Sequence, residues 1–239
     1  MSGSNGAKEA SGATPGFVQY HFRHAIGGFF EFPTANARKI LPPHLHPVEP
    51  HHGQSVLSVM AFDFHNSMVG EYGELILSVL VMPRVGPGQP LPRSAFYPFL
   101  LGTTTKASRD HAIERWHLPH FMENIDLSFD AKPDSIQIAA AHGGKPIIDM
   151  TITQYEWEKV SHRYQSFMHD KDGSYMSTII MESGFSENEE ERGEITIHKH
   201  AFTQDIDRDA VNTTPFRELW MRDGLQTFHP LETLASAAV

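Results

Sequence analysis

Residues 55–64, SVLSVMAFDF, and residues 73–82, GELILSVLVM, decide how this chain folds. Both are about ten residues long, rich in Val, Leu, Ile and Phe, and bounded by Gly, Asn, Pro and charged residues, which is the pattern of strands. A third run, AFYPFLL (95–101), follows the Gly- and Pro-rich loop RVGPGQPLPRS (84–94), so the three are spaced as an antiparallel meander.

On the N-terminal side, QYHFRHAIGGFFEF (19–32) alternates as a strand and TANARKIL (34–41) reads as a short helix capped by Thr34 and stopped by Pro42 and Pro43. The first sixteen residues, MSGSNGAKEASGATPG, have no apolar segment to insert or pack and are expected to form a tail, leaving residues 17–239 as one domain. On the C-terminal side, SRDHAIERWH (108–117) is a candidate helix with Ser108 as its cap. DSIQIAAA (134–141) and PIIDMTITQYEW (146–157) flank the turn His142–Gly143–Gly144–Lys145, where two glycines tolerate the positive φ of a tight hairpin. A second hairpin joins RYQSFMH (163–169) to SYMSTIIME (174–182), and ITIHKHAF (195–202) is expected as a further strand. TTPFRELWMRDG (213–224) reads as a helix, with Thr213 or Thr214 as cap, Pro215 in its first turn, Phe216, Leu219 and Trp220 on one face and Gly224 at its end. A last helix is expected through PLETLASAAV (230–239). Together these predict an α+β fold: a large antiparallel β-sheet folded as a cone or barrel around a central pocket, with a few peripheral helices.

Composition excludes several functions. There is no cysteine, so disulfides, thiolate nucleophiles and Cys-based metal centres are ruled out. A formal charge of −10, from 29 acidic and 19 basic residues, opposes binding to nucleic acid or an anionic membrane surface. The longest apolar run, LILSVLVM (75–82), is too short to cross a bilayer as a helix. A soluble, cytoplasmic protein acting on a small molecule is expected, and without a Gly-rich phosphate loop after a strand no organic cofactor is expected.

Sixteen histidines raise the question of a metal. His44, His46, His51 and His52 crowd one Pro-rich loop, and His198 and His200 would share one face of a strand. Neither set has a third ligand at an established spacing, so no metal is expected.

Four segments, in order along the chain, resemble the acetoacetate decarboxylase superfamily. Arg23 followed by ARKILPPHL (37–45), GEYGELILSV (70–79) with its Gly-x-Tyr-x-Glu pattern, HAIERWHLPHF (111–121) and GEITIHKHAF (193–202) carry the likeness. The resemblance implies a pocket carboxylate at Glu74, a pocket arginine at Arg23 and a homo-oligomer. It also implies a Schiff-base lysine directly after a proline, where this chain has Pro119–His120–Phe121. A second family carboxylate falls near Val59. An imidazole cannot form the imine that drains electrons from a β-keto acid, so a true acetoacetate decarboxylase is not expected.

His120 titrates near neutrality and can exchange a proton with substrate, with Glu74 as its partner. Arg23 can hold a carboxylate or carbonyl through paired hydrogen bonds, and Tyr72, two residues from Glu74 on the same strand face, can donate another. Phe121 would wall the substrate site. The expected chemistry is acid–base catalysis of a hydratase, dehydratase, isomerase or cyclase type on a small, partly apolar carbonyl-containing or unsaturated substrate. The alternatives are a noncatalytic carrier or sensor using the same pocket, and a Schiff-base lyase using Lys106, the one lysine close in sequence to the expected site.

Overall fold

The computed structural model describes residues 16–234. All but the last residue of the expected tail, and the end of the expected final helix from residue 235 on, lie outside these described residues. In chain order the elements are β1 (Val18–Pro33), α1 (Thr34–Ile40), β2 (Gln54–Asn66), β3 (Tyr72–Leu80), β4 (Ser94–Thr103), α2 (Lys106–Trp116), β5 (Asp126–Ala131), β6 (Ser135–His142), β7 (Lys145–Thr153), β8 (Glu158–Asp170), β9 (Gly173–Asn188), β10 (Glu194–Ile197), β11 (Arg217–Phe228) and β12 (Glu232–Leu234).

Seven strands close on themselves in the order β11-β1-β2-β3-β4-β8-β9, with β9 pairing back to β11, and β12 extends the sheet beyond β9. The expected meander β2–β3–β4 is present. One pairing departs from the antiparallel expectation: β4 and β8 run parallel over Ser94–Phe96 and Tyr164–Ser166. A parallel neighbour requires a long crossover, and here the chain passes through α2 and three strands before it returns. Those strands and β10 form a second, antiparallel sheet, β10-β7-β6-β5. Its central hairpin turns at Gly143 (φ 56°) and Gly144 (φ 75°).

The barrel wall separates two cores. Tyr20, Phe22, Phe62, Phe64, Leu219 and Met221 fill the barrel interior. Ile26, Phe30, Leu57, Leu75, Leu77 and Val79 face outward, against Ile136, Ile138, Ile148 and Ile152 of the second sheet. Strands covered on both faces lose the alternation of apolar and polar residues, which explains why 75–81 reads LILSVLV.

The same physics corrects the expected helix over 213–224. Arg217–Phe228 is β11, paired to both β1 and β9. Leu219 and Met221 point into the barrel and Trp220 points out to the second sheet, so neighbouring apolar residues mark two buried faces rather than one helical face. Gly224 terminates nothing; it faces Phe22 across the pairing, where an added Cβ would lie 2.2 Å from the ring's Cζ. Residues 232–234, expected as helix, form a short strand against β9.

Smaller corrections concern caps and the late strand. α2 is capped by Thr105, whose side chain accepts from the Ser108 N–H, and Ser108 lies inside the helix. Thr34 is the first residue of α1, and its hydroxyl bonds Ser55 rather than the helix. β10 stops at Ile197, so His198 and His200 are off the strand: His198 bonds Asp149, and His200 caps a 3-10 turn by accepting from the Phe202 N–H.

Candidate active site

Alternation along β3 sends Tyr72, Glu74, Ile76 and Ser78 into the barrel and Leu75, Leu77 and Val79 out of it. Inside lies a cavity of about 80 Å3 lined mostly by apolar side chains, among them Met60, Phe62, Leu101, Trp116, Met181 and Leu219. Glu74, Ser78, Tyr164, Ser166 and Gln226 supply its polar groups, and Glu74 is its one acidic residue.

Glu74 is 9% exposed and no ion pair reaches its carboxyl group among the described residues. Burial alone pushes its pKa from 4.5 up to about 8, because the ionised form has lost water and gained no cation. At neutral pH it is a protonated carboxylic acid facing an apolar cavity. It in turn opposes ionisation of Tyr20 and Tyr72, both raised first by their own burial.

α2 packs across this region. Its Trp116 donates from Nε1 to the Tyr20 hydroxyl at 2.8 Å, and that hydroxyl is also hydrogen-bonded to His111 Nε2 at 2.7 Å. The same helix buries Arg109, whose Nη1 donates to Asn124 Oδ1 at 2.8 Å while Nε has no partner.

His120 stands in an isolated parallel bridge with Leu101 of β4. Paired residues project to the same face of a sheet. Leu101 pairs with Ile76 and Thr103 with Glu74, so His120 is on the face that carries Glu74, although it is not among the side chains that line the cavity. Its Nδ1 donates to the Phe121 carbonyl at 2.7 Å, which fixes the proton there and leaves Nε2 as a bare lone pair, buried and unpartnered. Burial, and then the nearby Arg109 cation, lowers its pKa, so His120 is a neutral imidazole with an acceptor to offer.

The remaining expected residues lie elsewhere. Tyr72 is on the Glu74 face but packs 4.8 Å from the Phe64 ring and is not part of the cavity lining. Arg23 is on the outside: a bulge between Phe22 and His24 turns Phe22 inward and Arg23 toward solvent, where it pairs with Asp63 at 3.1 Å and Glu71 at 3.3 Å. Phe121 points away from His120, to the second-sheet side, where its ring meets Phe202 at 5.5 Å. Lys106 begins α2, exposed and ion-paired to Asp110 one turn on. None of the lysines among the described residues lines the cavity.

Tyr164, Trp116 and Gln226 escape the sequence reading although they line the cavity. Trp116 was legible as an apolar residue ending the α2 pattern; Gln226 was not, because it falls just past the Gly224 at which the expected helix ends, in a stretch assigned to no element. Arg109 gives no sequence signal, since an arginine in a short polar helix is ordinarily solvated.

The whole architecture is shared with solved structures. An acetoacetate decarboxylase from Legionella pneumophila superposes with a TM-score of 0.61 at 14% identity, over 96% of this chain and 93% of that one. The chain has the acetoacetate decarboxylase-like fold. The enduracididine biosynthesis enzyme MppR, in complex with pyruvate, matches with a TM-score of 0.58 at 11% identity, covering 95% of this chain and 93% of that one. An acetoacetate decarboxylase-like enzyme from Sphingomonas wittichii RW1 matches at 0.55 and 12% identity, covering 99% and 100%. No family model and no curated protein matches this chain. At these identities the likeness is one of fold, and the acetoacetate decarboxylase-like scaffold leaves the chemistry to the residues of the cavity.

Proposed function

We propose that this protein is an acid–base enzyme on the acetoacetate decarboxylase-like scaffold that works without a Schiff base. Glu74 is the proton donor, His120 Nε2 is the complementary acceptor, and the substrate is a small, largely apolar molecule with a carbonyl or conjugated double bond. The observation that carries this reading is the lone carboxyl group of Glu74 in an apolar cavity, held protonated at neutral pH. An acid with a pKa near the working pH gives and regains a proton at little cost, which is the condition for general catalysis. The pairing reverses the usual assignment of the two residue types: the carboxyl enters the reaction protonated and the imidazole enters neutral. Protonating a substrate oxygen while a neighbouring C–H loses its proton is the common first half of isomerisation, dehydration and cyclisation.

The exposed position of Lys106 and the lack of a lysine in the cavity lining favour this reading over an imine mechanism. A carrier or sensor is the second reading, favoured by the mostly apolar lining, and needs no acid at all.

One experiment separates the three. A panel of small ketones, keto acids and enals is incubated with the protein in D2O, hydrogen exchange next to the carbonyl is followed by NMR, and a parallel sample is treated with borohydride and weighed intact. Acid–base catalysis predicts exchange that falls by about a hundredfold or more in Glu74→Gln and His120→Ala, with no reduced adduct. A stable adduct on a lysine would restore the imine mechanism. Tight binding without exchange would leave the carrier.

A further inference from the structure

Outside the barrel, on the side of the second sheet, the β6–β7 turn and the segment 199–208 enclose an open groove of about 780 Å3. Its lining includes Lys145, Lys199, Arg208, His142 and His200 and no acidic residue, in a chain whose net charge is −10. The acids nearest in sequence, Asp205, Asp207 and Asp209, are not part of the lining. Among the described residues, none of Lys145, Lys199 and Arg208 makes an ion pair.

The histidines add direction to the charge. His200 accepts the Phe202 N–H at Nδ1 (3.0 Å), so its proton sits on Nε2, and it enters the groove as a donor. His142 stands 5.5 Å from it, ring to ring, and is held by Glu123 at 2.7 Å. In the lining, Thr203 is buried and donates to the His198 carbonyl at 2.6 Å. Two ammonium groups, a guanidinium and an imidazole N–H therefore line one groove, with the Glu123 carboxylate engaged by His142, and this cationic lining suits a multiply charged oxyanion.

We propose that this groove is an oxyanion site for a small phosphorylated metabolite, a phosphate monoester or diphosphate, separate from the barrel cavity. Lys145, Lys199 and Arg208 neutralise the phosphate, and the His200 Nε2–H fixes one of its oxygens. The site lies on the opposite side of the barrel wall from Glu74, behind Phe121, whose ring packs against both His142 (5.4 Å) and His200 (5.9 Å).

The test uses inorganic pyrophosphate and the full chain. Amide NMR spectra are recorded through a titration at low and at physiological salt, for the wild type, for Lys145→Gln with Lys199→Gln, and for Lys132→Gln with Lys159→Gln, which removes two exposed lysines elsewhere. Saturable shifts confined to residues 142–145 and 199–208 are expected, with affinity falling about tenfold or more in the groove variant. In the control the change at physiological salt should be less than about twofold, because exposed charges at a distance are screened there. No saturable shifts, shifts spread over the whole surface, or equal losses in both variants would each overturn the site. All substituted lysines are at the surface, so circular dichroism should be unchanged.

Discussion

Glu74 is held where ionisation is most costly, and the cost has a sign that can be measured. Its pKa in the fold is about 8 against 4.5 for an ordinary glutamate, so between those two pH values the folded chain binds a proton that the unfolded chain has released. Stability attributable to this residue is intact below pH 4.5, declines as pH rises toward 8, and is flat above. Across that window the wild type should lose up to about 5 kcal/mol relative to Glu74→Gln, which carries no titrating group. Urea unfolding of both proteins at a series of pH values checks this. Glu74 was legible in sequence because GEYGELILSV resembles the Gly-x-Tyr-x-Glu strand of the acetoacetate decarboxylase superfamily. Arg23 was equally conspicuous as a residue type, yet a one-residue bulge sends it to solvent, and nothing in QYHFRHAIGG marks the bulge.

A second buried glutamate is held by hydrogen-bond donors from neighbouring elements. Glu218 of β11 is fully buried and accepts from the N–H and hydroxyl of Thr153 and from the N–H groups of Arg192 and Gly193. It ties β11 to the end of β7 and to the turn before β10. Glu218→Ala would leave these buried donors unpaired and should cost about 3 kcal/mol or more, whereas Glu218→Gln, which keeps an acceptor oxygen, should cost less. Gly224→Ala tests the pairing of β11 with β1. Phe22 is fully enclosed and has nowhere to move, so the added methyl should destabilise by about 1–3 kcal/mol. Chemical denaturation of each variant measures both effects. At this scale the strands of the meander and the two glycine hairpins were readable, because their turns are local. β11 was not: a Thr-Thr-Pro start and a glycine at the end imitate helix signals, and the period of two disappears when both faces are buried.

At the scale of the molecule, the barrel wall has an apolar core on each side, and the cavity is the part of the inner core left unfilled. A cone or barrel around a pocket was predictable from the number and spacing of strands. Its closure was not, since it depends on β9 meeting β11 and on a parallel β4–β8 contact made after a long excursion of the chain. Two of the three tryptophans, Trp157 and Trp220, pack edge to face at 5.3 Å outside the barrel, and Trp116 lines the cavity. A small apolar ligand should therefore change the fluorescence of the wild type and leave Trp116→Phe nearly silent, which reports cavity binding without any assumption about turnover. The direct test of the account is the ionisation of Glu74 itself, followed by 13C NMR of glutamate-labelled protein with Glu74→Gln to assign the resonance. A midpoint near pH 8 is the result predicted. A midpoint near the ordinary 4.5 would mean an ionised, hydrated carboxylate at neutral pH, and the protonated acid on which the proposed chemistry depends would not exist.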